Sequence, residues 1–356
     1  MSSDPVLAWL LEDEQPSVRA KALTELLGRP DSDPDVRAAR AKIPTTGWAA
    51  QILAEQDPEG WWGRGERSYV PKYLGTNWRL LVLADLGMTR EHPAVARACE
   101  WWIARTHKPD GGFGPDGGSS SHLCVAGNSV RALVQFGYGR DPRVRRGFDW
   151  LVDHAAPKGG WSCYGSGRLL DSWEPLSAFA AQPRALWTPE MTQAAAKGAE
   201  FFLERELHRQ GEPYPPWFRT HYPVHYYYDL LVGLDAVTAL GHGADPRLDF
   251  ALAWLTERRR PDGRWNLDAW HPDVDGARAE WFAQHPRDRP IPWGLEEPGA
   301  PSKIVTLTAR RVLRRVAQVR GDPLSPAGPA RGTPRAASRA RSVGARRPTP
   351  RRARTS

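Results

Sequence analysis

The chain has 356 residues, 40% of them apolar, with 33 Gly, 33 Pro and 17 Trp and a formal net charge of +8. That apolar fraction can build a core, but so much glycine, proline and tryptophan does not suit a plain helical bundle and needs a repeating turn to place it. The charge excludes a basic nucleic-acid-binding domain: between Gly321 and Ser356 nine Arg stand against Asp322 and carry the whole +8, leaving the preceding 320 residues neutral.

Taken in chain order, Met1–Gln15 lacks a basic region followed by an apolar stretch, and no run approaches the roughly 18 apolar residues of a membrane span. Cys99, Cys124 and Cys163 are an odd set without a paired framework, which fits a reducing compartment, and a cytoplasmic location is expected. Pro5–Leu27 and Pro34–Ile43 read as a HEAT-like helical pair occupying residues 1–43.

From residue 44 to 320 two punctuation marks alternate. Gly-aromatic turns occur at Asp57-Pro-Glu-Gly-Trp-Trp-Gly63, Pro109-Asp-Gly-Gly-Phe-Gly114, Pro157-Lys-Gly-Gly-Trp161 and Pro261-Asp-Gly-Arg-Trp265, with a degenerate copy at Gln210-Gly-Glu-Pro-Tyr214. Counted from Gly60, Gly112, Gly160, Gly211 and Arg264, they are separated by 52, 48, 51 and 53 residues. Between them lie Leu27-Gly28 then Asp33-Pro34, Leu86-Gly87 then His92-Pro93, Phe136-Gly137 then Asp141-Pro142, and Leu240-Gly241 then Asp245-Pro246. Glycine closes a helix in the left-handed conformation, while Asp-Pro supplies a capping oxygen and a pre-set first helical residue. Each period is therefore helix, Gly-Asp-Pro turn, helix, Gly-aromatic turn. Val95–Ile103 and Val144–Val152 have the three-and-four spacing of outer helices with one wet face; Trp78–Leu86, Val130–Phe136, Leu230–Leu240 and Ile304–Val316 are apolar on more of their circumference, as buried inner helices are. An open solenoid shares this periodicity.

The Gly-aromatic turns resemble the QW-type repeats of squalene and oxidosqualene cyclases and of protein prenyltransferase β subunits, over about Thr45–Val316. The resemblance implies an all-α fold, an α/α toroid of about six helical hairpins. Its inner helices line an apolar cavity and its turns stitch the layers. Trp61, Phe113, Trp161 and Trp265 are then stitching residues.

In that family reactive groups stand where inner helices begin. Here those starts carry Lys72, Tyr73 and Asn77; His122, Cys124 and Asn128; Cys163, Asp171, Trp173 and Glu174; His221, His225, Tyr226 and Asp229; and Ser302 with Lys303. Helix N-termini also favour an anionic head group such as a diphosphate. The expected catalytic residues are Asp171, His225, Tyr226 and Asp229, and the expected ligand-binding residues Tyr73, Asn77, His122, Asn128, Trp173 and Lys303. The D-x-D-D acid motif of class II cyclases is missing: Asp273-Val-Asp275-Gly276 fails at its last place and lies in a loop. His122, Cys124, Cys163 and His225 approximate the donor set of the prenyltransferase zinc site, although the Asp of that site is replaced by His and the ordinary reading of such Cys and His is packing and hydrogen bonding. The cluster His221–Asp229 reads either as an aromatic wall or as tight packing.

Asn266–Ala300, with Trp270, Trp281 and Trp293, is expected to form a lid over the mouth. The Arg/Pro/Ala-rich tail, 321–356, is expected to be disordered. The functional expectation is a squalene-cyclase/prenyltransferase-like toroid that binds or transforms an isoprenoid-like apolar molecule; a non-catalytic helical scaffold or ligand-binding protein is the alternative.

Overall fold

The computed structural model describes residues 4–163, 173–208, 215–225, 227–270 and 293–321, and within them every regular element is a helix. The chain opens with α1 (Pro5–Leu10) and α2 (Pro16–Lys21), the latter continuing into a π-turn over Ala22–Leu26. Pro16 at the first helical position splits what the periodicity of Pro5–Leu27 predicts as one segment. There follow α3 (Pro34–Lys42), α4 (Gly47–Ala54), α5 (Thr76–Asp85), α6 (Pro93–Thr106) and α7 (Leu123–Leu133), which runs into a second π-turn at Val134–Tyr138. The remaining helices are α8 (Pro142–Asp153), α9 (Trp173–Ala181), α10 (Pro189–Leu203), α11 (Leu230–Ala239), α12 (Asp249–Glu257) and α13 (Lys303–Arg320).

The predicted punctuation acts as its chemistry requires. Gly28, Gly87, Gly137 and Gly241 all have φ between 70° and 100°. Asp33, Asp141 and Asp245 each accept a backbone N–H of the helix that follows. The helix α10 has no such Asp-Pro signal in sequence, because Thr188-Pro189 does the same work: Thr188 Oγ1 accepts from Met191 N at 3.2 Å. The two Asp-Pro-Arg copies go further. Arg143 grips Asp141 and reaches Glu100 on α6 at 2.7 Å, and Arg247 grips Asp245 and reaches Glu200 on α10 at 2.5 Å, so each ties its turn to the preceding outer helix.

The Gly-aromatic turns share one hydrogen-bond pattern. The indole N–H of Trp62, Trp161 and Trp265 donates to the carbonyl ten residues earlier, Ile52, Leu151 and Leu255, at 2.7–2.8 Å, filling an acceptor in the last turn of α4, α8 and α12. In the first and last of these turns, the backbone N–H of the tryptophan donates to a threonine on the next inner helix, Thr76 or Thr306. The stitch thus joins the end of one outer helix to an inner one. It also corrects the register: Trp62, 2% exposed, is the counterpart of Phe113, while Trp61 is half-buried and its indole N–H donates to nearby Glu59. The turn glycines in register are Gly60, Gly111, Gly159 and Gly263, all at positive φ.

The inner helices pack neighbour to neighbour, α5 on α7, α7 on α9, α9 on α11, α11 on α13, and α13 on α2 and its π-turn, and the outer α4 lies against both α2 and α5 and so bridges the first and last of the series. α6, α8, α10 and α12 lie against α5, α7, α9 and α11 from outside. The tightest contact is α7 on α9, where a Cβ on Gly127 would sit 2.5 Å from Pro175 N. Inner helices are buried nearly all round, Val125–Leu133 completely, including Arg131. The outer α8 buries only Val144, Gly147, Phe148, Trp150 and Leu151. The ring closes through charge: Arg311 on α13 bonds Asp235 on α11 at 2.6 Å and Glu25 in the first π-turn at 2.7 Å, Arg310 bonds Asp4, and Lys303 bonds Glu12 at 2.6 Å.

Two outcomes follow from this packing. In urea denaturation Trp62→Ala costs about 3–5 kcal/mol, as for a buried aromatic, whereas Trp61→Ala costs under about 1 kcal/mol; equal losses would refute the corrected register. Arg311→Leu leaves Glu25 without its arginine and Asp235 with Arg315 alone, and costs about 1.5–3 kcal/mol near neutral pH. Burial raises the pKa of Glu25 and of Asp235, and Arg311 overrides it and holds both low. The wild-type advantage is therefore full above the ordinary carboxylate range, and it shrinks as pH falls through that range; a pH-independent deficit in the variant would contradict the assignment.

Candidate functional site

Inside the ring lies a cavity of about 370 Å³ whose wall takes residues from α2, α5, α7, α9, α11 and α13. Its volume falls in the range of small-molecule sites. Where inner helices begin, it is bordered by Trp173, His221, Tyr222, Val224, Asp229 and Ile304. Further along the helices it is bordered by Asp85 at the end of α5, by Asp235, Arg311 and Arg315 in the middle of α11 and α13, and by Glu25 after α2. The expected apolar cavity is therefore corrected: apolar side chains such as Val18, Leu231 and Val305 form only part of the wall, and ion pairs form much of the rest.

Asp229 is built into the start of α11. It is the N-cap residue, with Oδ1 accepting from Val232 N at 2.8 Å, while Oδ2 accepts from the backbone N–H of His221 at 3.1 Å and from its Nδ1 at 2.7 Å. Both side chains are only 2% exposed. A carboxylate oxygen can only accept, so Nδ1 carries a proton. Nε2 is buried and has no hydrogen-bond partner among the described residues. Two other polar atoms of cavity-lining side chains are in the same state, Tyr222 Oη and Trp173 Nε1. Burial holds the Tyr222 hydroxyl protonated, well above its ordinary pKa, and the nearby carboxylate of Asp85 adds to this. Arg131 reaches the same wall from α7, pairs with Asp85 at 2.8 Å, and lies 5.6 Å from the Trp173 ring.

The chain segment before α11 is held by the start of the long insertion. Thr220 N donates to Asp268 Oδ2 at 2.9 Å, and Tyr222 N donates to the Ala269 carbonyl at 3.3 Å. The far end of the insertion caps α13: Glu296 accepts from Ser302 Oγ at 2.5 Å and Lys303 N at 2.6 Å. Trp270 Nε1 donates to the Glu296 carbonyl at 2.6 Å, joining the two ends. The predicted lid's middle, 271–292, including Trp281 and the Asp273–Gly276 string, lies outside the described residues.

Of the residues expected to bind or react, Trp173 and Asp229 line the cavity. Asp171 and Tyr226 lie outside the described residues. His225 sits behind the wall, stacked on Tyr73 at 4.7 Å and edge-on to Trp78 at 4.9 Å, with its carbonyl accepting from Asn128 Nδ2 at 2.7 Å. Asn77 is buried near the start of α5, His122 is exposed at the start of α7, and Lys303 points to Glu12 and the Trp9 carbonyl. The metal set is not assembled. Cys124 and Cys163 do meet, with Cys124 N donating to Cys163 Sγ at 3.2 Å, but no group of three or more His, Cys, Asp or Glu among the described residues is placed to hold an ion. The hydrogen bond to Cys163, with burial, raises the Cys124 thiol well above its ordinary pKa, away from the thiolate that zinc needs. The residues present do not fit zinc.

Tyr222 and Arg131 are the additions of the structure, and His221, one of the groups read at the inner-helix starts, lines the cavity where His225 does not. Tyr222-Pro223 breaks helical spacing, so no periodic argument aims His221 at the lumen. A mid-helix arginine reads by pattern as a wet-face residue; Arg131 is 8% exposed.

Residues 18–167 match the squalene-hopene cyclase C-terminal domain family. The chain is terpenoid-cyclase-like. A terpene cyclase–glycosyl transferase fusion protein from Humicola fuscoatra is 32% identical over 123 residues, which make up 31% of this chain and 9% of that protein, so the toroid spans under a tenth of that relative's length. Among solved structures, a protein from Actinoplanes is 19% identical with 88% of this chain and 98% of that one covered, at a TM-score of 0.45. A type II terpene cyclase from Scytonema, in complex with geranylgeranyl dihydroxybenzoate, is 16% identical with 86% and 88% covered, also at 0.45. No helix among the described residues of the terpenoid-cyclase-like chain is long and apolar enough to cross a membrane.

His225 gives a pH prediction. Burial, then repulsion from neighbouring cationic and imidazole groups, holds its pKa well below the usual 6.5. The unfolded chain therefore binds a proton that the folded chain refuses once pH drops below about 6.5, and up to about 1.4 kcal/mol of stability is lost per pH unit. His225→Asn suits the positive φ of 50° at this position. It should flatten the fall in melting temperature between pH 7 and 5; an unchanged slope would show that other groups cause it.

Proposed function

We propose that the terpenoid-cyclase-like ring is a binding protein for an elongated, isoprenoid-like molecule, held in the central cavity with its polar end against Trp173, His221, Tyr222 and Asp229. The observation that carries this reading is the coincidence, in the lining of one cavity of about 370 Å³, of apolar wall from several inner helices with the polar side chains of Trp173, His221, Tyr222 and Asp229. The family match over residues 18–167 supports the isoprenoid class of ligand. Asp229 and His221 are the pair on this wall able to move a proton, and the sequence-based catalytic set narrows in this proposal to Asp229, with His221 in place of His225. Residues 4–43 belong with the ring in this reading, since α2 packs on α13. A cytoplasmic setting agrees with three cysteines that are all free thiols.

Titration of the purified protein with a C15–C20 prenyl alcohol, followed by tryptophan fluorescence, tests the proposal. Saturable binding is expected, weakened at least about tenfold by Ala236→Phe, which fills the cavity from a buried position on α11. Binding that Ala236→Phe leaves intact would place the ligand elsewhere.

A further inference from the structure

We propose that Cys124 and Cys163 form a redox site, in which a hydroperoxide oxidises the sulfur of Cys163 and Cys124 then closes a reversible disulfide upon it. Of the three thiols, Cys99 is fully buried on the outer helix α6, whereas Cys124 and Cys163 are half-buried and in contact, with Cys124 N donating to Cys163 Sγ at 3.2 Å. The contact joins places 39 residues apart. Cys124 stands in the first turn of α7, and Cys163 follows the Gly-aromatic turn after α8, two positions beyond Trp161, whose indole is fixed to the Leu151 carbonyl at 2.8 Å. Both backbones are therefore held, and the two sulfurs meet as a consequence of the fold.

The two thiols are not equivalent. Cys163 Sγ sits against the N-terminal turn of α7, where backbone N–H groups lack helical partners and the helix dipole is positive. A sulfur in that position carries negative charge more readily, and the thiolate is the form that reacts. The side chain of Cys124 is also hydrogen-bonded to Cys163, and that bond, followed by burial and the nearby Glu174 carboxylate, holds the Cys124 proton in place. Charge in the pair thus gathers on Cys163, the attacking sulfur, and Cys124 is the resolving one. Cys99 is the internal control: burial, with Glu100 beside it, pushes its thiol far above the ordinary range.

The chemistry balances with hydrogen peroxide as the oxidant. The Cys163 thiolate attacks one peroxide oxygen, an S–O bond forms, the O–O bond breaks, and the departing hydroxide takes up the proton that Cys163 gave up and leaves as water. The sulfur of Cys124 then attacks the sulfenic acid; the S–S bond forms, the S–O bond breaks, and the Cys124 proton leaves with the hydroxyl as a second water. Two thiols lose two electrons and one peroxide gains them. Where glutathione keeps thiols reduced, a disulfide of this kind is a transient, sensing bond. It would staple the start of α7 to the turn that leads towards α9, closing a loop of 39 residues, and should raise the melting temperature by about 5 °C.

The test treats the purified full-length protein with hydrogen peroxide. Peptide mapping should link Cys124 to Cys163 within one chain and leave Cys99 as a thiol, the melting temperature should rise as stated, and dithiothreitol should reverse both changes. Cys124→Ser should leave Cys163 as a sulfenic acid that dimedone labels, and Cys163→Ser should be labelled at least about tenfold more slowly at Cys124. Melting of the reduced variants checks that they are folded; if one is not, the wild-type map decides. Thiols that survive peroxide sufficient to oxidise free glutathione, or a link that involves Cys99 or a second chain, overturn the proposal. Equal labelling of the two variants overturns the assignment of Cys163 as the attacking sulfur.

Discussion

Arg311 stands on the helix that completes the ring and divides one guanidinium between Asp235 on α11 and Glu25 in the π-turn after α2. The first and last parts of the chain meet here, nearly 300 residues apart in sequence. Two half-buried carboxylates this close repel without a cation between them, and a guanidinium is the one side chain whose planar fork can serve both. The other parts of the ring's geometry depend on this contact. With α13 held against α2, the helices enclose a lumen; without it, the same repeats could stack as an open array, the alternative that the periodicity alone leaves standing. Arg310 to Asp4 and Lys303 to Glu12 extend the same seam along α13.

The fold was legible where one residue type performs one local task. Glycine at positive φ and Asp-Pro at helix starts announce themselves, and the Gly-aromatic turns do so at their 50-residue spacing. The errors came where two residues could perform the task equally well on paper. Trp61 and Trp62 are adjacent indoles, and only the depth of the turn decides which one reaches the Ile52 carbonyl. Thr188-Pro189 caps α10 with a different hydroxyl chemistry and so carries none of the expected signal. α10 was invisible to punctuation for this reason, and α4 because Thr46 before it makes no side-chain cap bond and no proline follows.

The site was legible only in part, for a different physical reason. Asp229 could be placed because a cap position fixes its side chain to the helix start, and Trp173 because a large ring at that place must face inward. His221 lies outside any helix, its direction set by hydrogen bonds that neighbouring Thr220 and Tyr222 donate to Asn266, Asp268 and Ala269, contacts between segments 46 to 48 positions apart. His225 shows the converse. Its place in an aromatic cluster suited it to a functional role, yet the same cluster, with Tyr73 stacked on it, walls it off from the cavity.

The closure and the cavity share side chains, and this constrains how the protein can respond to a ligand. Arg311 and Arg315 form both the seam between α11, α13 and the π-turn and the charged end of the lumen. A molecule that filled the lumen and reached those arginines would compete with the contacts that hold the ring shut. One that kept its polar group at the opposite end, near His221, would leave the seam intact and add its binding energy to the folded state alone. The two parts of the cavity are therefore not interchangeable: the part lined by Glu25, Asp235, Arg311 and Arg315 is committed to holding the ring, and the part lined by Trp173, His221, Tyr222 and Asp229 takes no share in that seam.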